Sequence, residues 1–192
     1  MFQRLGVIIF LSLAGCATQN AVPSVDILDE TTGMTAGALP SPLEFMETGI
    51  FEDVANPAPS QASMAYVGPV EWDRSGQVQY MLWVQIAPGV GGHRLDDIST
   101  PGAVNLRLDD GMMRLSAVVV SKVTAHPYQA REPVGQAAYF ALDAAMLKRM
   151  ADSQKFVLNL RGADLSEVDF KPMHEPRDAL QQFVRDRGVA GE

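Results

Sequence analysis

Residues 70–89 read VEWDRSGQVQYMLWVQIAPG, and their alternation decides the fold class. Val78, Tyr80, Leu82, Val84 and Ile86 interleave with Gln77, Gln79, Met81, Trp83 and Gln85. A period of two puts the first set on one face of a strand and the second on the other, so the first set should face a core. Asp73-Arg74-Ser75-Gly76 supplies turn residues ahead of this strand. The strand ending at Trp72 and the one that follows are therefore expected to form a hairpin. Met81 and Trp83 lie among the glutamines of the second face, which should be partly covered.

The rest of the chain is read outward from that hairpin. VNLRLDDGMMRLSAVVV, residues 104–120, has Asp110-Gly111 at the place for a tight turn, with Val104, Leu106 and Leu108 facing one way and 112–120 returning. Further short strands are expected at 43–46, 64–70, 137–142, 156–160 and 168–170. Asp143 can cap a helix whose Met146, Leu147, Met150 and Ala151 form one apolar stripe. A second helix should begin near Pro176 and run to Gly188 with Ala179, Leu180, Phe183 and Val184 inward. Many strands and few helices predict a mainly β fold, an antiparallel β-sandwich with two short helices.

Composition bounds the function. The 192 residues are 47% hydrophobic and 20% charged, which is ordinary for a globular chain. The formal net charge of −8 argues against a nucleic-acid partner or a basic membrane footprint, both of which need clustered Lys and Arg. There is one cysteine, so no intrachain disulfide can staple the fold.

That cysteine closes the leader MFQRLGVIIFLSLAGC. One cation, Arg4, precedes an apolar run from Leu5 to Leu13 and the small pair Ala14 and Gly15. This is the layout of a secretory signal. As a helix, residues 5–15 would be about 16 Å long, too short for a hydrocarbon core of about 30 Å.

Leu13-Ala14-Gly15-Cys16 resembles the lipobox of bacterial lipoproteins. The resemblance implies that Cys16 is acylated on sulfur, that residues 1–15 are removed as signal peptide, and that two or three chains hold the protein to a membrane. Cleavage would remove Arg4 alone among charged residues and take the formal charge from −8 to −9. With Ala17 rather than aspartate after the cysteine, the resemblance implies an outer-membrane address facing the periplasm rather than the inner membrane. Residues 16–42 are rich in Ala, Thr, Ser, Gly and Pro and read as the acylated cysteine and a flexible tether spanning about 28 Å. The alternative at 25–28 is an edge strand, which would shorten that reach. Residues 43–192 are expected to form a single β-rich domain.

No catalytic, cofactor or metal site is expected from motifs. His93, His126 and His174 are the only histidines, and none has a second ligand at zinc spacing. Ser99, His93 and Asp96 hold triad residue types, but within one loop, which reads as solvated. GVGGH, residues 89–93, lacks the spacing and lysine of a phosphate loop. Asp96-Asp97 and Asp109-Asp110 lack the alternating ligands of a calcium loop. Met112-Met113 and Met146 with Met150 read as packing rather than copper ligands. Trp72, Tyr80 and Trp83 are the aromatic candidates for a ligand-stacking surface. The preferred expectation is a non-enzymatic binding or assembly partner of other envelope proteins. The rival is a cell-wall or surface-glycan hydrolase or binding protein using loops 89–100 and 126–133. A cleft joining a histidine to a carboxylate would favour the rival.

Overall fold

A computed structural model describes residues 23–49, 62–120, 124, 126–131 and 135–189. Leu13, Ala14, Gly15 and Cys16, with the first part of the tether, lie outside the described residues. The fold is mainly β with two short helices, and all strand pairs are antiparallel members of one sheet.

The hairpin read from the sequence is its centre, but Val78, expected to face the core, is 45% exposed, because the strands run out beyond the core toward the turn. Strand β4 (Met64–Arg74) and strand β5 (Gln77–Ala87) pair over their full lengths, from Met64 opposite Ala87 to Arg74 opposite Gln77. Their two-residue loop has Ser75 at φ 56° and Gly76 at φ 86°, the pair of positive angles that matches the twist of a hairpin. The Asp73 carboxylate accepts the Gly76 N–H at 2.7 Å. The turn is tighter than expected, because pairing continues two residues beyond Trp72.

β4 is too long for one neighbour. On its other edge, Met64–Val67 pairs with β3 (Leu43–Glu47), while residues 70–73 pair with β2 (Met34–Ala38). Pro69 lies at the seam between these two, where no strand lies to miss its absent N–H. β1 (Val25–Asp29) pairs with β2 from outside. Residues 25–38, assigned to the tether from their composition with an edge strand as the alternative at 25–28, are thus part of the domain: the edge strand is present as β1, and β2 is a strand the composition did not suggest. Their small residues serve packing: Ala36 and Ala38 are fully buried, and a Cβ on Gly37 would stand 2.2 Å from Arg187 Cζ.

From β3 the sheet continues through β11 (Glu167–Pro172), β10 (Val157–Arg161), β6 (Val104–Leu108) and β7 (Gly111–Arg114). From β5 it continues through β9 (Ala137–Leu142) and β8 (Ala117–Val118). The two ends meet. Leu115 donates its N–H to Val104 O at 3.2 Å, and Ala141 donates its N–H to Ser116 O at 3.0 Å. One stretch, 111–118, thus serves both edges of a curled sheet whose halves face each other across the core, as sandwich layers would. The expected single return strand over 112–120 breaks at 115–116 because its second half passes from β6 to β9.

Inside the curl, alternating positions of each strand converge: Phe45, Val67, Leu82, Val84, Leu106, Phe140, Leu158 and Phe170 are fully buried with their neighbours. Each such side chain contributes about 1.5–3 kcal/mol on leaving water. α1 (Ala144–Asp152) and α2 (Arg177–Asp186) add Leu147, Met150, Leu180 and Phe183. Asp143 caps α1 as expected, accepting the Met146 N–H at 2.6 Å. α1 joins the end of β9 to the start of β10, so the helices sit at the hairpin-turn end and the opposite end is left to loops.

The outer face of β4, β5 and β9 is also buried. Tyr66, Val70, Trp72, Trp83 and Tyr139 form a second cluster with Tyr128, which crosses from residues 124–131. Tyr128 donates its hydroxyl to Pro69 O at 2.9 Å and accepts the Leu39 N–H at 3.1 Å. Gln85 is fully buried and holds the Arg131 backbone with both ends of its amide, at 2.8 and 2.9 Å. A Cβ on Gly68 would stand 2.3 Å from the Tyr128 ring. Gly68→Ala is therefore expected to lower stability by about 1–3 kcal/mol, read as an earlier urea midpoint with an unchanged slope.

Candidate functional site

Two places gather chemistry. The first is at the loop end of the curl, where Glu47 closes β3 with its side chain wholly inside. Its Oε1 accepts the His93 N–H at 2.9 Å and lies 2.5 Å from His93 Nδ1, while its Oε2 accepts the Ser63 N–H at 3.2 Å. The backbone reaches the carboxylate only because residue 92 is glycine: a Cβ there would be 2.0 Å from Ser63 Oγ and 2.9 Å from Glu47 Oε2. The ring of His93 is half exposed and borders a hollow of about 210 Å³ with Ser63, Arg94, Leu95 and Gln136. With Nδ1 held by a carboxylate and no hydrogen bond to Nε2 among the described residues, the ring has the arrangement of a general base. The Ser63 hydroxyl is buried and accepts the Gly89 N–H at 3.3 Å.

The second place is a groove of about 560 Å³ on the outer face, between 124–130 and the start of β9. Trp83, Tyr128 and Tyr139 line it, with Thr124, His126 and Gln129 on the strap side and Ala137 and Ala138 on the strand side. Trp83 and Tyr128 lie with ring centroids 5.2 Å apart, and Trp72 meets Tyr139 edge-on at 6.1 Å. His126 Nδ1 is 3.2 Å from the Tyr139 hydroxyl. Burial raises the Tyr128 phenol well above its ordinary value and pushes Tyr139 up to about 12.

The three histidines occupy different places: His93 on Glu47, His126 in the groove, and His174 exposed between β11 and α2. The triad types in the 93–99 loop part company. Asp96 turns to Arg161 at 2.7 Å, and that guanidinium holds its carboxyl below the usual range; Ser99 bonds Asp97 at 2.7 Å. Asp109 accepts the Gln154 and Lys155 N–H groups, and Asp110 takes both arms of Arg149, so this pair serves the turn and the end of α1. Met113 is buried while its neighbour Met112 is exposed. Trp72 and Trp83 join the outer cluster, whereas Tyr80 packs toward the inner one, so the three present no common face. No group of three or more His, Cys, Asp or Glu suited to a metal occurs among the described residues.

Glu47, Tyr128 and Tyr139 were not singled out by sequence reading. Glu47 and His93 are 46 positions apart, and Tyr128 meets Leu39 across 89. Glu47 ends a strand run that also carries Glu44, so no local signal set it apart. No family model matches the chain, no curated protein matches it, and no solved structure matches its fold.

Glu47→Ala leaves the Ser63 and His93 N–H groups without their acceptor, so a loss of about 1–3 kcal/mol is expected by chemical denaturation. The groove tyrosines yield an alkaline signature. Their folded values lie above the ordinary value near 10, so the protonated form is favoured by folding. Stability is then full below about pH 10 and falls as pH rises toward 12. Phenolate absorbance should rise together with unfolding, and Tyr128→Phe with Tyr139→Phe should shift that rise.

Proposed function

We propose that the chain is a lipid-anchored envelope lipoprotein whose β domain acts without catalysis as a binding or assembly partner of other envelope proteins. The anchor is Cys16, acylated within Leu13-Ala14-Gly15-Cys16, and Ala17 points to the outer membrane, facing the periplasm, in a host with two membranes. What carries the reading is the distance between that lipobox and the domain. Only residues 17–24 separate Cys16 from Val25, the first residue of β1. At full extension that link reaches about 30 Å at most, so an acylated Cys16 holds the domain within about its own diameter of the membrane. Stable attachment and a short reach suit a protein that meets partners at the membrane surface. The pairing of His93 with Glu47 at 2.5 Å beside a hollow is the feature that favours the rival instead.

A second reading, a hydrolase acting on cell-wall or surface glycans, draws on His93. Its ring, held by a carboxylate, borders a hollow. Turnover of a peptidoglycan or glycan substrate by purified protein, abolished by His93→Ala, would establish it and displace the first reading.

The test of the anchor is the mass of the protein from its native host. Acylated Cys16 at the new amino terminus is expected, and Cys16→Ser should move the protein from the membrane to the soluble fraction or leave the leader uncut. A bare thiol, or cleavage elsewhere, would overturn the proposal. Crosslinking in intact cells should join the domain to a protein of the envelope.

A further inference from the structure

Two loop tips at one end of the curl hold aliphatic side chains in water. Val90 stands in the loop after β5 and is 98% exposed; Leu165 stands in the turn between β10 and β11 and is 75% exposed. Single exposed aliphatic residues are ordinary. These two belong to loops that are joined along their backbones, because Ala163 donates its N–H to Arg94 O at 2.8 Å and Leu95 bridges Gly162. The turn holds Leu165 at φ 68°, a left-handed angle that a leucine adopts at a cost. Asp164 accepts the Ser166 N–H at 3.0 Å and fixes the turn around it. A side chain three-quarters in solvent gains little packing in return. Arg94, at the junction of the loops, is exposed, and its guanidinium forms no ion pair among the described residues.

The direction of β1 relates this end to Cys16. Ala38 of β2 lies opposite Val70 of β4, and Val25 of β1 lies opposite Ala38. β1 therefore runs toward the hairpin turn, and the chain enters it from the loop end. The Ser24 N–H, donated to Asp186 Oδ2 at 2.8 Å, fixes that approach. Val70 is six strand positions from Met64, where β4 leaves the loops, a distance of about 20 Å. The link from Cys16 to Val25 reaches about 30 Å, so it can pass the strand ends by no more than about 10 Å.

We propose that the loop end faces the membrane that holds Cys16, with Val90 and Leu165 entering the boundary between headgroups and acyl chains and Arg94 meeting lipid phosphate. This rests on the anchor reading above and adds an orientation to it. Aliphatic tips gain by leaving water, and a guanidinium pairs with phosphate oxygens. Two side chains make a contact too small to hold a protein alone; the acyl chains supply residence, and the tips set which end is down. The helical end is then left for a partner protein, and the hollow beside His93 lies against headgroups.

The experiment uses the acylated full chain in vesicles of phosphatidylethanolamine and phosphatidylglycerol in equal parts. Cys16 is the only cysteine, and acylation caps it. Val90→Cys, Leu165→Cys and Lys148→Cys therefore each supply one thiol for a nitrobenzoxadiazole label. Lys148 is exposed on α1, at the helical end. Labels at 90 and 165 should show blue-shifted emission and lose intensity to a nitroxide carried on the lipid acyl chains, and the label at 148 should do neither. Leu165→Gly should melt no earlier than the parent, because glycine adopts φ 68° freely. Labels at 90 and 165 that stay aqueous, equal quenching at 148, or earlier melting of Leu165→Gly would overturn the proposal. So would a blue shift without quenching, which means that protein covers the tips instead of lipid. In each of these cases the chain stays with the vesicles and the anchor stands. A parent chain that takes up label at Cys16 and stays out of the vesicles would overturn the anchor, and this orientation with it.

Discussion

Everything in this fold hangs on one long hairpin whose stretch away from the turn is buried on both faces. β4 and β5 run eleven residues each in continuous register. A strand with one wet face needs a single layer of cover, but here both faces carry large apolar groups. On one side lie Val67, Leu82, Val84 and Ile86; on the other lie Tyr66, Val70, Trp72 and Trp83. The sheet meets the first demand by curling until 111–118 bonds both of its edges. The segment around Tyr128 meets the second. Gly68 is the point of closest approach, and only the absence of a Cβ lets the ring of Tyr128 lie against the strand.

The first and last described elements are held by the same economy of space. Arg187, just past α2, lies flat on Gly37 of β2 and reaches Asp26 at 2.5 Å and Val25 O at 3.1 Å. Its side chain is 10% exposed while that of Asp26 is 62% exposed, so the value of the contact lies more in packing than in the ion pair. Glu71 lies 3.8 Å from the same guanidinium; burial raises its pKa, and Arg187 opposes that rise. Arg187 thus ties the end of helix α2 to β1 and β2.

The two candidate sites differ in how they were hidden. Glu47 and His93 come together because β3 and the glycine-containing loop end at the same edge of the curl, a fact of topology rather than of spacing. The groove depends on where β8 stops, and Val118-Val119-Val120 offers no local sign that its second valine leaves the sheet. Residues 25–38 were hidden differently. Alanine and glycine there read as linker composition, yet close packing against β4 and Arg187 demands small residues.

Local physics decided what could be read without coordinates. Alternation over 77–86, turn residues at 75–76, the Asp143 cap and the two helical stripes depend on neighbours within a few positions, so strands, hairpin and helices were legible, as was the lipobox resemblance at Cys16. Long-range closure was not. Which edges of the sheet meet and which face Gln85 and Tyr128 seal depend on contacts between residues many tens of positions apart. Only the folded chain brings those together, because each is set by the space that its neighbours leave.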